Sequence, residues 1–299
     1  MNLLYELLEK EGPMTGKKVV SSTGLDTFDA WKQCRMDDKI ISSLVSTRYL
    51  RLDSKVENYA RLSPSIMREF LNYTIIGIER DRSDISEMAV RLEAELTLIS
   101  RKKVELAEST VKRLIEANPA KEDYIDQACF IIAGDVVYGM AHSEPRPESS
   151  TGELVRGSDL DIIVVTDNLS EVLTSDLDRM IFGEKYNLLM NPAVKEEIDY
   201  LIKDLETVSD QLKFDNFKSM VASKILYEGE YLYGSKKIFR TIGKMLIDSG
   251  IPNIIAGLEK NAALERQAAE HQLLKAEETE DRDHLMALFY TTEEKEEIF

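Results

Sequence analysis

The stretch Arg156-Gly-Ser-Asp159-Leu-Asp161-Ile-Ile-Val-Val165 decides how this chain is read. Two carboxylates, two residues apart, open a run of four β-branched residues, Ile162 to Val165. Such residues are stiff at χ1 and favour strands, and a short continuous apolar run of this kind fits a buried strand. In a strand, residues i and i+2 face the same side, so Asp159 and Asp161 project together while Leu160 turns to the other face. Adjacent carboxylates repel each other unless a cation lies between them. Mg²⁺ held by one or two carboxylates plus substrate phosphates is the expected solution.

Two further pieces belong with this one. Phe130-Ile-Ile-Ala-Gly134-Asp135-Val-Val-Tyr-Gly139 reads as a buried strand running into a glycine-marked turn. Glu197-Ile-Asp199-Tyr-Leu-Ile202 is another strand candidate with an acid inside its apolar run, and Glu196, Glu197 and Asp204 are rivals to Asp199 as its functional carboxylate. A later segment, Lys224-Ile-Leu-Tyr-Glu-Gly-Glu-Tyr-Leu-Tyr-Gly234, follows in order.

In that order, Gly134, the Gly157–Val165 run, Asp199 and the 224–234 segment resemble the nucleotidyltransferase superfamily related to DNA polymerase beta, over roughly residues 125–235. The resemblance implies an α+β fold: a mixed-sheet nucleotidyltransferase domain that moves a nucleoside monophosphate from a nucleoside triphosphate to an acceptor. It implies that Asp159 and Asp161 hold Mg²⁺, and that Asp199 joins one metal and helps deprotonate the acceptor. Gly134, Asp135 and Ser158 would line the nucleotide, with Gly134 letting the backbone approach the triphosphate. One departure stands out. The family commonly has Gly-Ser or Gly-Gly at the first turn, whereas this chain has Gly134-Asp135. A carboxylate there repels a triphosphate unless it turns away or meets a metal. The alternative reading is therefore a non-catalytic, nucleotide-sensing regulator.

Outward from this centre the chain reads as four parts: residues 1–75, 76–120, 121–236 and 237–299. The first resembles a winged helix in pattern alone. Leu3, Leu4, Leu7 and Leu8 recur at helical spacing up to Gly12-Pro13, and Asp26 or Thr27 can cap a helix through Trp31. A further helix is expected over 37–47, then a hairpin from Tyr49–Asp53 and Tyr59–Leu62. Lys32, Arg35, Lys39, Arg48, Arg51 and Lys55 would contact DNA or RNA in that reading; otherwise the module serves protein interaction or dimerisation and these are ordinary surface charges. Residues 1–75 hold 11 Lys and Arg against 10 Asp and Glu, so of the net charge of −17 the remaining residues carry −18. So acidic a body disfavours non-specific nucleic-acid binding by the molecule as a whole.

Residues 84–118 read as a long amphipathic helix, a connector or a coiled-coil arm, stopped by Asn118-Pro119. The segment His142–Arg156 reads as a mobile loop beside the site, either an acceptor-binding lid or a surface insertion, from which Arg146 and Arg156 either meet phosphate or, as the reading favours, face solvent. After 236 the chain is helical, broken at Ser249-Gly-Ile-Pro252, and 276–299 reads as a solvated acidic helix with a disordered end. Cys34 and Cys129 lie far apart, and His142, His271 and His284 form no ligand spacing, so neither a disulfide framework nor a zinc site is expected. No run of apolar residues is long enough to span a bilayer and the acidic start resembles no secretory signal, so a cytoplasmic protein without membrane association is expected.

Overall fold

The computed structural model describes residues 3–148, 151–276 and 282–290, and the chain divides into two units, residues 1–95 with 258–299 and residues 96–257. The first unit opens with α1 (Leu3–Glu11), a two-residue strand β1 (Met14–Thr15), α2 (Gly16–Thr23) and α3 (Thr27–Met36). Thr15 and Asp26 cap α2 and α3, accepting from the amides of Lys18 and Phe28. Next come β2 (Ile40–Leu44), the antiparallel pair β3 (Tyr49–Leu52) and β4 (Ala60–Ser63), α4 (Ile66–Tyr73) and β5 (Thr74–Ile78). β5 lies between β1 and β2, antiparallel to both.

One helix expected from the sequence is a strand. Residues 37–47 form not a helix but β2, whose Ile40 and Ser42 sit opposite Ile78 and Ile76 of β5. The Asp37 side chain accepts from the Lys39 amide, which turns the chain out of α3. Ile-Ile-Ser-Ser is a poor helix former, and a waiting strand partner decides the outcome.

The long helix is present as α5 (Arg82–Glu116), its residues from Leu96 onward belonging to the second unit. That unit continues with α6 (Lys121–Gln127), β6 (Ala128–Ala133), a 3₁₀ turn at Gly134–Val136, and the strands β7 (Pro145–Pro147) and β8 (Leu154–Arg156). Then follow β9 (Leu160–Thr166), α7 (Glu171–Met190), β10 (Ile198–Asp204), α8 (Leu205–Gln211), α9 (Phe217–Glu228), β11 (Glu230–Gly234) and α10 (Lys236–Asp248). The segment expected as a mobile loop is thus tied by the β7–β8 pairing, with residues 149–150 outside the described residues.

β10, β9, β6 and β11 make a mixed sheet in that order. β10 runs parallel to β9, a pairing that needs a crossover, which α7 supplies; β6 is antiparallel to β9 and to β11. Phe130, Ile132, Ile162 and Val164 share one face of this sheet and pack with Leu177 and Ile181 of α7. Their neighbours one residue away, Ile131, Ile163 and Asp161, point to the opposite face.

The chain ends with α11 (Ile251–Lys275) and α12 (Arg282–Phe289). Leu273, Leu285 and Phe289 are buried in the core of the first unit with Leu4, Trp31, Phe70 and Ile76. The Phe289 ring meets Phe28 edge-on at 5.3 Å and lies 5.5 Å from Trp31. The expectation of a solvated helix over 276–299 is corrected here for residues 282–289; residues 277–281 and 291–299 lie outside the described ones. Two apolar anchors spaced four apart suffice to bury one face of a short helix, however acidic its surroundings. No helix among the described residues is long and apolar enough to cross a membrane.

Candidate metal centre

The parallel register sets Asp199 of β10 directly beside Asp161 of β9, and the antiparallel register sets Ala133 of β6 on Asp161's other side. Asp159 precedes β9 by one residue and points the same way as Asp161. One carboxylate oxygen from each of Asp159, Asp161 and Asp199 lies within 4.8 Å of the others. Three hard oxygen donors converging at this spacing form a group that can hold a divalent metal ion.

Gly134 makes room for it. Its φ is +78°, and a Cβ there would lie 2.2 Å from Asp161 Oδ2. Any other residue would push the carboxylate out of the cluster. Gly157 serves the approach to Asp159: at φ +61° it passes so close to the His142 carbonyl that a Cβ would stand 1.8 Å from its oxygen. Lys103, reaching in from α5, donates to the carbonyls of Arg156 and Ser158 at 2.7 Å each and pairs with Glu196. That buried ammonium fastens the turn from which Asp159 projects.

The electrostatics are those of a site built for a cation. Burial first, and then the charges of Asp159, Asp199, Asp135 and Glu228, push the Asp161 carboxyl well above the usual range. Asp159 is also pushed up, by burial first; Arg146 works against this, while Asp199 and Asp135 add to it. Among the described residues no ion pair reaches Asp161 itself. Arg146 stands 3.7 Å from Asp159 and 3.0 Å from Glu197, and its Nε donates to the Gly157 carbonyl at 2.8 Å. Its side chain is only 13% exposed, which corrects the expectation that it faces solvent; Arg156 is exposed. Lys185 of α7 donates to Asp199 Oδ1 at 2.7 Å.

The remaining residues read from the sequence sit nearby. Asp135 lies in the 3₁₀ turn, where it accepts from the Ser158 hydroxyl at 3.2 Å, and the Ser158 oxygen in turn accepts from the His142 amide. Asp135 and Ser158 thus engage each other. Glu228, at the end of α9, accepts from the Tyr138 hydroxyl at 2.6 Å and pairs with Lys224. A cavity of about 420 Å³ opens against the triad, lined by Gly134, Asp161, Asp199, Lys185, Phe182 and Glu228 among others. Sequence reasoning missed Lys185 and Phe182, because a position on a crossover helix carries no local mark of what its side chain reaches. Glu228 lay inside a segment that had been singled out, without being singled out itself.

In the first unit at least four of the six candidate cations are engaged by other groups of the protein. Lys32 donates to the Ala276 carbonyl, and Arg35 lies 3.9 Å from Glu270. Arg48 pairs with Glu69 at 2.7 Å and Glu270 at 3.1 Å. Lys39 stands over the Tyr5 ring, Arg51 is engaged in its own interaction, and Lys55 is exposed. Comparison with protein-family models finds none that matches the chain, and comparison with curated proteins finds no similar sequence.

Proposed function

We propose that this chain is a Mg²⁺-dependent nucleotidyltransferase that moves a nucleoside monophosphate from a nucleoside triphosphate to an acceptor. The observation that carries the reading is the convergence of Asp159, Asp161 and Asp199 beside Gly134, with a cavity opening on them. Asp159, Asp161 and Asp199 are the residues that would hold Mg²⁺, and the donor set fits: all oxygen, partly buried, and short of positive charge at Asp161. Metal bound there supplies charge stabilisation to the attacking and leaving oxygens of an in-line displacement. In the transfer the acceptor oxygen bonds to the α-phosphorus, the bond to the bridging oxygen breaks, and pyrophosphate leaves. Asp199, the most exposed of the three at 52%, is the triad member that would take the acceptor's proton. Asp135 accepts from the Ser158 hydroxyl, and its charge adds to the negative potential that a metal ion at the triad would neutralise.

A regulator with a winged-helix-like module is the second reading. It is favoured by the order of helices and strands in the first unit, where α2 and α3 lie between β1 and β2 in the chain and β5 pairs between those two strands. Against it, Lys32, Arg35 and Arg48 already have partners on α11 or just after it. Calorimetric titration of ATP, GTP, CTP and UTP with Mg²⁺, on wild type and on the Asp159→Ala/Asp161→Ala protein, separates the two together with an assay for pyrophosphate. Transfer predicts metal-dependent nucleotide binding that the double substitution abolishes, and pyrophosphate once an acceptor is supplied. Absence of any nucleotide binding by wild type would defeat both readings of the pocket.

A further inference from the structure

Four cations stand near the triad and its cavity; two of them are anchored away from the triad, and a third, Arg146, is shared between Asp159 and other partners. Lys103 is locked by two backbone carbonyls and Glu196. Arg146 holds Glu197 and the Gly157 carbonyl as well as facing Asp159. Lys224 is paired with Glu228 and lies over the Tyr138 ring. Lys185 differs. Its one ion pair among the described residues is to Asp199, a member of the triad, and its side chain lines the cavity.

We infer that Lys185 is a binding residue with two successive partners: it holds Asp199 while the triad is free of metal, and it binds the nucleotide's phosphates once metal has taken that carboxylate. The inference rests on the nucleotidyltransferase reading. A divalent ion at the triad draws charge from the Asp199 carboxylate and repels the ammonium that lies 2.7 Å from its Oδ1, so metal entry loosens the lysine's hold. The loosened ammonium then sits in the cavity beside a divalent ion that repels it, and a polyphosphate satisfies both charges at once. Lys185 therefore weakens metal binding alone and strengthens it in the presence of nucleotide. By linkage, metal strengthens nucleotide binding to the same degree. The lysine makes the site load metal and nucleotide together instead of collecting a bare ion.

The test uses the full chain, Mn²⁺ alone followed by an α,β-methylene analogue of ATP in Mn²⁺, on wild type, Lys185→Met and Lys185→Arg. Removing the charge should tighten Mn²⁺ binding about two- to fivefold, the scale of a partly exposed ion pair. It should weaken binding of the analogue roughly tenfold or more, the scale of a lost charge-assisted hydrogen bond to phosphate. Lys185→Arg keeps the charge and should leave the metal arm near wild type. Unchanged or weaker Mn²⁺ binding by Lys185→Met overturns the inference, as does unchanged analogue binding; in both cases wild type still binds nucleotide and the proposed function stands. If wild type binds Mn²⁺ but neither this analogue nor any of the four nucleoside triphosphates, the proposed function fails and the inference falls with it.

Discussion

Replacing Asp161 with Asn should stabilise the metal-free protein and abolish its response to metal. The carboxylate oxygens of the triad approach within 4.8 Å, and Coulomb's law at an effective dielectric of about 20 gives roughly 3.5 kcal/mol for two full charges at that distance. Asp161 faces two such neighbours. Arg146 beside Asp159 and Lys185 beside Asp199 offset part of the repulsion, and proton uptake caps the rest. Removing the Asp161 charge is then worth about 1–3 kcal/mol, or roughly 2–12 °C in Tm for a unit of this size. The pH dependence has a definite sign. A carboxyl whose pKa is raised on folding binds more protons folded than unfolded, so stability falls as pH rises from the unfolded value through the folded one. The metal-free wild type loses stability upward from about pH 4, and the Asn variant loses less over the same window. Mn²⁺ at a hundred times its Kd should return about 2.7 kcal/mol to wild type and nothing to the variant. Scanning calorimetry across that range, in chelator and in Mn²⁺, measures all of this. A variant no more stable than wild type in chelator, or one that gains as much from Mn²⁺, would refute the description of Asp161 as an uncompensated metal ligand.

Gly134→Ala should lower Mn²⁺ affinity by about tenfold or more and cost roughly 1–3 kcal/mol, because its methyl meets Asp161 Oδ2 at 2.2 Å in a left-handed backbone; wild-type affinity in a metal titration would contradict this. Burial holds the Lys203 ammonium down to about 8, so the folded protein binds fewer protons than the unfolded chain and stability should rise from about pH 8 to about pH 10.5. Lys203→Met should flatten that rise and add about 1–2 kcal/mol at neutral pH, read by denaturant unfolding at several pH values. Phe289→Ala should cost the first unit about 3–4 kcal/mol by emptying the space against Phe28 and Trp31. Trp31 is the chain's single tryptophan, so its fluorescence in a denaturant titration reports that loss directly, and an unshifted midpoint would show α12 to be dispensable.

Local pattern was enough for the centre of the molecule. The β-branched run after Asp161 marks a buried strand, period-two geometry puts Asp159 and Asp161 on one side, and the apolar run around Asp199 marks a second strand carrying an acid. Those inferences need only the two-residue repeat of a strand and the repulsion of like charges, both of which act over a few residues. What stood opposite what was beyond them. Asp199, not Glu196, Glu197 or Asp204, joins the triad because the parallel register aligns it with Asp161, and register is set by pairing across the sheet. Residues 40–44 became a strand because β5, more than thirty residues later, offered an edge. Arg146 turned inward because Glu197 and Asp159 meet it there, and Lys185 reaches Asp199 only because α7 crosses over between their strands. The acidic C-terminal segment reads as a solvated tail until Leu285 and Phe289 find the core of the first unit. The sequence by itself therefore determined which carboxylates are paired within a strand and where the backbone must be glycine. Only the tertiary structure decided which third carboxylate and which cations complete the site, because those contacts join residues far apart in the chain and are made only when the sheet and its crossover helix have formed.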